Sequence, residues 1–309
     1  MEENGKMKKL TLEEIKGFVS GKLFDEKILL NSDSSWPRIS IIIPSFNQGE
    51  FLERTILSVL NQHYPNLEYI VIDGGSEDGS IEIIKKYEKY LAYWISEKDN
   101  GQSDAINKGY QMSTGEIVAW LNSDDVYLPG TLHSVAEVFR KRKRVEIVYG
   151  NRYIIDEKDR LISERRLTPY TSSMARLGSL YGGFGIYQPA SFWRREIHER
   201  VEGVDISLRF CMDNDLFIKF ALSNCRFKFL REYLVAFRVH SDSKTSTIRD
   251  VAKEEFTMIL KRYNLKHDYL QGKIVSNFIR LIKILLYIFQ GDSRYLYFKL
   301  FKDKVKWVP

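Results

Sequence analysis

The sequence has little cysteine and lacks the features of several large protein classes. Only Cys211 and Cys225 occur among 309 residues, too few for a disulfide framework or a thiolate zinc site. The opening stretch, MEENGKMKKLTLEEIKG, is charged and has no apolar core of a secretory signal. No internal repeat is visible. These absences predict a protein of the reducing cytoplasm.

Two common phosphate-binding motifs are also missing. The glycine-rich stretch DGGSEDGS follows the second predicted strand and does not have the G-x-G-x-x-G spacing of dinucleotide-binding turns. No G-x-x-x-x-G-K-[ST] loop occurs anywhere in the chain. Hydride transfer on a dinucleotide-binding domain and ATP hydrolysis by a P-loop are therefore disfavoured.

Positive charge is scarce outside the C-terminal end. The formal net charge is +6, but residues 261–309 alone hold eleven Lys or Arg against three Asp. That segment carries +8, so the rest of the chain is near −2. Because nucleic-acid binding requires basic residues near the functional site, we expect no nucleic-acid partner.

The main part of the sequence is a regular alternation of apolar strands and amphipathic helices. Its length and 44% hydrophobic content allow one large domain or two small ones. The predicted strands are 38–46, 66–75, 93–98 and 115–125, and each is followed by a predicted helix, at 49–62, 77–91, 101–112 and 129–143. This order predicts an α/β fold with a parallel sheet and helices on both faces.

The pattern changes after residue 150. The sequence predicts a hairpin at 151–166 around Glu157-Lys158-Asp159, a glycine- and aromatic-rich loop leading into a strand at 176–197, a helix at 211–224, an extended segment at 226–240 and helices from 249. We expect an N-terminal extension at 1–36, a main domain at 37–245 with halves at 37–150 and 151–245, and a tail at 246–309.

Polar residues follow all four of the first predicted strands. The four strand ends are Pro44-Ser45-Phe46-Asn47, Asp73-Gly74-Gly75-Ser76, Glu97-Lys98-Asp99-Asn100 and Asn122-Ser123-Asp124-Asp125. Loops are polar in most proteins, but four in succession at one edge of a parallel sheet favour a shared ligand site. The turn after the second strand offers backbone N–H donors and a carboxylate to a nucleobase or ribose.

The fourth strand end suits a divalent cation. Adjacent carboxylates at the end of a buried strand repel each other and are costly to desolvate unless a cation compensates them. Asn122 and Asp124 point the same way in an extended segment, and oxygen ligands favour Mg²⁺ or Mn²⁺ completed by substrate phosphates. The alternative is that the carboxylates cap the next helix, with Pro129 in its first turn.

Spacing alone leaves the roles of two further residues open. Asp213 opens a predicted helix, where a carboxylate is an ordinary partner of the helix dipole, but it also follows a glycine-rich loop that could hold an acceptor. His240 ends the extended segment and could ligate a metal or contact a phosphate, although a lone histidine is more often structural.

These motifs together resemble those of the family-2 inverting glycosyltransferases with the GT-A fold, of the bacterial surface-polysaccharide type. The stretches ISIIIPSFNQGEFLERTILSVLNQ, IVIDGGSEDGS, GEIVAWLNSDD and CMDNDLF occur in the family's order within residues 38 to 240. The resemblance implies a Rossmann-like, mixed but mainly parallel sheet flanked by helices, with a C-terminal helical extension.

The resemblance also implies a role for each matching residue. It puts the nucleotide against Pro44, Ser45, Phe46, Asn47 and Glu53, and makes Asp73 the reader of uracil or thymine, with Gly74 and Ser76 beside it. Gly101, Asp104 and Asn107 fall in the ribose and diphosphate loop, Asn122-Ser123-Asp124 at the metal-binding D-x-D motif, Asp213 at the catalytic base and His240 beside the metal and diphosphate.

Two positions depart from the family's pattern. Asn122 replaces the first Asp of the D-x-D motif, so we expect weaker binding of Mn²⁺ or Mg²⁺. Met212 replaces the usual acid before the base, so Asp213 lacks that neighbour's charge.

The implied reaction transfers a sugar, with inversion and metal dependence, from a UDP- or dTDP-linked donor to a hydroxyl of a saccharide or lipid-linked saccharide. Cell-surface polysaccharide or glycolipid assembly would be its setting. The alternative is a catalytically inactive relative that binds nucleotide sugars in an assembly complex. A sugar-nucleotide pyrophosphorylase is disfavoured, because PSFNQGE is not the basic, glycine-rich loop that those enzymes have after strand one.

The tail contains one amphipathic segment, KIVSNFIRLIKILLYIFQ, at residues 273–290. A helical wheel shows a polar arc opposite a broad apolar one, and the polar arc contains Lys273, Ser276, Asn277, Arg280, Lys283, Tyr287 and Gln290. Arg280 and Lys283 interrupt the roughly 20 apolar residues that a spanning helix needs. The helix either packs on the main domain or lies on the anionic inner face of the plasma membrane, and the following stretch, RYLYFKLFKDKVKWVP, favours the membrane.

Overall fold

A computed structural model of the chain describes residues 2–3, 6–7, 12–241, 243, 249–267 and 269–301. Parts of the predicted N-terminal extension lie outside the described residues, as do 244–248 around the predicted boundary at 245 and 302–309 at the lysine-rich end of the predicted tail. The domain boundaries at 36, 150 and 245 stay predictions.

One mixed sheet organises the described part of the chain. The strands are β1 Glu2–Glu3, β2 Lys6–Met7, β3 Ile39–Ser45, β4 Leu67–Asp73, β5 Tyr93–Ser96, β6 Ile117–Trp120, β7 Val126–Tyr127, β8 Ile147–Ile155, β9 Leu161–Arg165, β10 Ser191–Arg194 and β11 Phe227–Arg238. β1 pairs only with β2, and the other strands form the sheet in the order β5-β4-β3-β6-β10-β8-β11-β7, with β9 paired to β8.

The first four strands of the sheet, β3 to β6, are parallel, and β11 runs parallel to β8. β10 is antiparallel to both β6 and β8, while β7 and β9 form antiparallel edges. The predicted mixed, mainly parallel α/β fold is therefore confirmed.

Helices flank the sheet and continue into the tail. They are α1 Leu12–Ser20, α2 Glu26–Leu30, α3 Gly49–Leu60, α4 Ser80–Tyr87, α5 Gln102–Met112, α6 Thr131–Lys141, α7 Ser172–Tyr181, α8 Arg195–Arg200, α9 Met212–Leu222, α10 Arg249–Arg262, α11 Leu270–Phe289 and α12 Ser293–Phe301, with short 3₁₀ turns at Glu88–Tyr90 and Gln188–Ala190.

The central strand β3 is apolar along its length because both of its faces are buried. Ile41 and Ile43 belong to a core that includes Ile56 of α3. Ile42 points to the other face, where it packs in a second core with Ile106 of α5. Alternate side chains of a strand point to opposite faces, so a continuous apolar run is the pattern expected for a strand covered by helices on both sides.

The strand register aligns the polar strand ends. Ser45 is the register partner of Asp73, and Asp73 is the partner of Ser96. The carboxyl ends of β3, β4 and β5 therefore lie side by side at one edge, which is where ligands bind in open α/β sheets.

The second half contains one correct and one wrong prediction. The predicted hairpin is formed by β8 and β9, which are antiparallel partners. The predicted loop at 176–197 is wrong in its first part, because α7 occupies Ser172–Tyr181. Thr171 caps this helix by accepting a hydrogen bond from the Met174 N–H. Gly178 lies inside it because a Cβ there would come within 2.8 Å of Phe184.

The described part of the tail is helical, as predicted. α11 packs against α7, and α12 follows it closely. Among the described residues, the structure contains no helix that is both long enough and apolar enough to cross a membrane.

Candidate active site

A tight turn follows β4 and is organised by Asp73. The buried Asp73 carboxylate accepts hydrogen bonds from the N–H groups of Gly75 (3.1 Å) and Ser76 (2.9 Å). It also accepts from the hydroxyls of Ser76 (2.6 Å) and Ser96 (2.7 Å). Four donors already surround its two oxygens, so this side chain fixes the turn at the end of β4.

The end of β3 is tied to this turn. The Asn47 N–H donates to the Ser76 hydroxyl at 2.8 Å, and Asn47 Oδ1 accepts from the Glu77 N–H at 3.0 Å. Phe46 is exposed at the same end, and Gly74 is so close to its ring that a Cβ would come within 3.2 Å. The exposed Phe46 ring therefore stands beside the turn, where a planar base could stack on it.

The loop between β5 and α5 is a second bordering element. Asp104 accepts a hydrogen bond from the Asn100 N–H at 3.0 Å, and the Lys108 ammonium lies 3.6 Å from its carboxylate. Gly101 precedes α5 with φ of 104°, a backbone conformation that glycine adopts most readily. These contacts fix the loop at the N-terminus of α5, where backbone N–H groups favour anions.

α5 also reaches the fourth strand end. Gln102 Nε2 donates to Asn122 Oδ1 at 2.7 Å, which joins the start of the helix to the D-x-D position. Asn122 Nδ2 faces Asp125 Oδ2 at 3.4 Å. The carbonyl oxygen that would serve as a metal ligand is therefore already accepting a hydrogen bond.

Asp124 and His240 form a close pair. His240 Nε2 lies 3.1 Å from Asp124 Oδ2, and the histidine ring packs on Phe51 with the ring centroids 4.6 Å apart. The two residues are 116 positions apart, and β11 brings His240 to the end of β6. Neighbouring ligands of an octahedral Mg²⁺ at about 2.1 Å lie roughly 3 Å apart, so this pair fits two positions of one cation.

A cation held there would need further oxygens. The described residues contain no cluster of three or more His, Cys, Asp or Glu able to hold a metal. Mg²⁺ is commonly bound by one or two protein groups plus substrate phosphates. The pair therefore fits a cation that arrives with a diphosphate better than a permanently bound one.

Asp125 has a different role from Asp124. It is fully buried, and its Oδ1 accepts a hydrogen bond from the Arg238 N–H at 2.9 Å. Burial and the charge of Asp124 raise the pKa of Asp125 well above its ordinary value. α6 begins only at Thr131 and has no side-chain cap. The alternative that the carboxylate pair caps the next helix is therefore wrong.

Sequence reasoning missed Arg238, which holds this edge together. Its buried guanidinium donates to the carbonyl oxygens of Asp124 (2.8 Å) and Asp156 (3.0 Å) and pairs with Asp159 at 2.6 Å. At the end of the predicted extended segment at 226–240, only His240 was predicted to have a functional role. The signal that could have exposed Arg238 is a charged residue placed directly after the apolar run at 234–237, at the end of β11.

Replacing Arg238 with Met should lower the free energy of unfolding by about 3–5 kcal/mol, because one side of a buried ion pair is removed. Urea denaturation measures this loss. The control is Arg140→Met, which removes an exposed partner of Glu137 and should cost less than about 1 kcal/mol. Equal losses in the two variants would contradict the role given to Arg238.

Asp213 stands in the first turn of α9 and is half-buried. Burial raises the pKa of its carboxyl to about 6, against the lowering effects of the Asn214 and Asp213 backbone N–H groups and of the Arg152 charge. Asp213 Oδ1 accepts from the Asn214 N–H at 2.7 Å. A carboxylate that changes protonation near neutral pH can accept a proton efficiently.

Arg152 connects the two parts of the site and was also missed. Its buried guanidinium lies 4.0 Å from the centroid of the Tyr187 ring and 4.5 Å from that of Phe237. Its charge lowers the pKa of both Asp125 and Asp213. The acid cluster after β6 and the carboxyl of α9 therefore share one electrostatic environment.

Glu53, which was predicted to contact the nucleotide, lies apart from Arg152 and the acidic residues. Glu53 accepts hydrogen bonds from Lys86 (2.6 Å) and Tyr87 (2.7 Å) of α4. Thr55, about 200° further around α3, instead donates to the carbonyl oxygens of Ser123 and Asp125. Glu53 therefore faces α4, whereas Thr55 faces the residues after β6.

Asn107 and the buried Met212 have contacts of a structural kind. Asn107 Nδ2 donates to the Val204 carbonyl at 2.8 Å, which fixes the loop before α9. Met212 packs in the apolar core beside Asp213. Neither residue has a described contact with the acid cluster. The role of Asn107 at the ribose and diphosphate stays a prediction.

A GT-A-type fold is the class that this mixed sheet and its aligned polar strand ends define. The structure of S. aureus TarS 1–349 in complex with UDP-GlcNAc superposes with a TM-score of 0.56 at 17% identity, over 87% of this chain and 76% of that one. The mannosyltransferase PcManGT from Pyrobaculum calidifontis, in complex with GDP-Man and Mn²⁺, gives 0.58 at 15% identity, over 93% and 81%.

Sequence comparison identifies the family. The model of glycosyl transferase family 2 matches residues 40–202. An uncharacterized glycosyltransferase of Rickettsia typhi is 30% identical over 228 residues, 71% of this chain and 69% of the relative. One of Nostoc sp. is 27% identical over 246 residues, 77% and 76% of the two chains. The chain belongs to glycosyl transferase family 2.

Proposed function

We propose that this glycosyltransferase moves a sugar from a UDP- or dTDP-linked donor to an acceptor hydroxyl, with inversion and with a divalent cation. The observation that carries the proposal is that the Arg152 charge acts on both Asp213 and Asp125, while Asp124, next to Asp125 in the chain, pairs with His240. The site as a whole combines two chemical groups. It combines a proton acceptor, with a pKa of about 6, and a cation-compatible pair 3.1 Å apart.

The reaction follows from one attack at the anomeric carbon. Asp213 accepts the proton of the acceptor hydroxyl as its oxygen forms the new bond and the bond to the nucleoside diphosphate breaks. A single displacement inverts the configuration, so an α-linked donor gives a β-linked product. A β-linked donor such as dTDP-rhamnose would give an α-linked product.

The donor would lie across the carboxyl ends of the first strands. Phe46, Gly74 and the turn held by Asp73 border the place for the base, with Pro44, Ser45, Asn47 and Ser76 around it. The α5 loop with Gly101 and Asp104 would face the ribose and diphosphate. The UDP-GlcNAc of TarS and the GDP-Man of PcManGT support a nucleotide-sugar donor in this fold.

Asp124 and His240 would hold the cation, and Asn122 with Ser123 would border it. Mn²⁺ or Mg²⁺ in that position neutralises the charge of a diphosphate leaving group. The Mn²⁺ of PcManGT supports this choice. Asn122 would first have to exchange its hydrogen bond from Gln102, which again predicts weak cation binding in the absence of nucleotide.

The acceptor would be a saccharide or a lipid-linked saccharide of cell-envelope assembly, used on the cytoplasmic side. The competing proposal is an inactive relative that binds nucleotide sugars in an assembly complex. It is favoured by Asn122 and Met212, which replace two acids of the family's pattern. Measured turnover distinguishes the two.

A thermal-shift panel of UDP, dTDP, GDP and CDP, each with and without Mn²⁺, tests the donor site. Saturation at 100 times Kd adds about 2.7 kcal/mol to the free energy of unfolding. We expect a Mn²⁺-dependent rise in Tm with UDP or dTDP. A shift with GDP alone would correct the donor class, and no shift with any nucleotide would contradict the site.

A further inference from the structure

One side of the tail helix α11 anchors it to the rest of the protein. Lys283 Nζ donates to the Gly183 carbonyl at 2.6 Å, and the Tyr287 hydroxyl donates to the Arg166 carbonyl at 2.7 Å. Ile279 is buried against Gly183. These residues are separated by four positions and so form one stripe along the helix.

The opposite side of α11 exposes a continuous apolar stripe. Its members are Leu270, Ile274, Phe278, Leu281, Leu285, Ile288 and Phe289, whose exposed fractions range from 47% to 86%. They recur at spacings of three and four residues and therefore share one helical face. Contiguous exposed apolar surface of this kind marks an interaction site.

The structure shows that the two sequence-based alternatives for this helix are compatible. The sequence puts Ser276, Lys283 and Tyr287 in the polar arc, and these residues turn toward the protein. The apolar arc consequently turns outward. A helix can thus pack on the domain and still present its apolar face to another partner.

We propose that this exposed face of α11 docks on an anionic lipid bilayer, with its apolar side chains in the headgroup boundary. The helix contains three basic residues, Lys273, Arg280 and Lys283, and no acidic residue. Lys273 and Arg280 are exposed beside the apolar stripe, where anionic headgroups attract them.

A second copy of the chain is a poorer occupant. The apolar stripe has coiled-coil spacing, but pairing two copies of α11 would bring like charges together without any acidic side chain to compensate them. Anionic lipid supplies the opposite charge along the whole stripe. Charge complementarity therefore selects the bilayer.

Docking would bring the glycine-rich loop that could hold the acceptor close to the membrane. α11 contacts Gly182 and Gly183, and Tyr187, further along the same loop, packs on Arg152. If the proposed transfer reaction is correct, the acceptor is therefore one that a membrane carries, with the reacting hydroxyl above the headgroups. This consequence rests on the proposed function, whereas the docking itself does not.

Flotation of the full chain with vesicles tests the docking. We expect binding to phosphatidylcholine vesicles that contain phosphatidylglycerol and much weaker binding to phosphatidylcholine alone. The double variant Phe278→Glu, Leu285→Glu should reduce partitioning of the protein onto vesicles at least about tenfold, because two apolar side chains that docking would bury in the bilayer are lost. The matched control, Leu161→Glu with Ile206→Glu, changes two exposed apolar residues elsewhere and should bind as the unmodified protein does.

A charge variant tests whether electrostatic attraction to anionic lipid contributes to binding beyond non-specific hydrophobic adsorption. Lys273→Gln with Arg280→Gln should weaken binding to anionic vesicles by roughly fivefold per charge and leave the weak binding to neutral vesicles unchanged. Undiminished flotation of the Phe278→Glu, Leu285→Glu variant would overturn the proposal. So would sedimentation as a dimer that this variant dissociates, combined with no vesicle binding, which would assign the stripe to a second copy.

The nucleotide panel on the same variants keeps the two proposals apart. A variant that no longer floats but keeps its nucleotide-dependent rise in Tm is folded and supports docking through α11. Flotation without any nucleotide response in the unmodified protein would leave docking in place and contradict the donor site alone.

Discussion

Replacing Asp213 with Asn should lower the turnover number by about 10²–10⁴-fold, the usual contribution of a general base. Asn has nearly the same shape as Asp, and its carbonyl oxygen can still accept the hydrogen bond from the Asn214 N–H. Nucleotide binding should therefore persist. Steady-state transfer assays combined with the thermal-shift panel measure both quantities, and a variant that keeps most of its activity would refute the assignment.

The pH profile provides an independent check of Asp213. Because the carboxylate must be ionised to accept a proton, turnover should fall as pH decreases through about 6, the pKa to which burial raises this group. A raised carboxyl pKa stabilises the folded protein below its ordinary value of 3.8, and this stabilisation is lost as pH rises through 6. At pH 7.5 Asp213→Asn should consequently be at least as stable as the unmodified protein.

Asp215 is the matched control on the same helix turn. It is buried and accepts from the Tyr263 hydroxyl at 2.9 Å, with Lys219 and Arg262 also in contact. Asp215→Asn should lower the free energy of unfolding by roughly 1–3 kcal/mol. The pH near 6 below which turnover falls should stay unchanged in this variant. If Asp215→Asn lost turnover and kept its stability, we would assign the general base to Asp215 and a structural role to Asp213.

The second large effect is expected at Asp124. Asp124→Ala should abolish the Mn²⁺-dependent part of the nucleotide shift and lower turnover by at least about a hundredfold, since stabilisation of a leaving diphosphate is worth several kcal/mol. The fold should survive, because the Asp124 carbonyl still accepts from Arg238. Titration with Mn²⁺ and nucleotide, followed by transfer assays, measures the effect.

Glu97 supplies the comparison for Asp124. It is an exposed carboxylate directly after β5, at the same edge of the sheet but three strands away from β6, and it pairs with Lys108 at 3.0 Å. Glu97→Gln removes one negative charge from the same edge but should leave the Mn²⁺ dependence intact. If both variants lost it equally, general electrostatics rather than ligation by Asp124 would explain the cation requirement.

Local pattern was sufficient for most of the parallel half. The apolar runs that become β3, β4 and β6 alternate with amphipathic helices, and burial on both faces explains each run. Parallel strands then put Ser45, Asp73 and Asp124 at one edge without any further information. The prediction of a loop from residue 176 was wrong for a physical reason. Gly178 lies inside α7 and packs against Phe184, but in the sequence a glycine is typical of a position where a helix ends.

The sequence by itself determined the alternation of strands and helices, the polar strand ends and the amphipathic character of the tail, because these depend on neighbouring residues. Only the tertiary fold brings distant groups together: it puts His240 beside Asp124 and the Arg238 N–H on Asp125, lets the Arg152 charge act on two carboxyls, and leaves one side of α11 exposed. Those pairings join residues up to 116 positions apart. These contacts depend on the sheet, because only the folded chain brings the residues close enough for burial and charge to act between them.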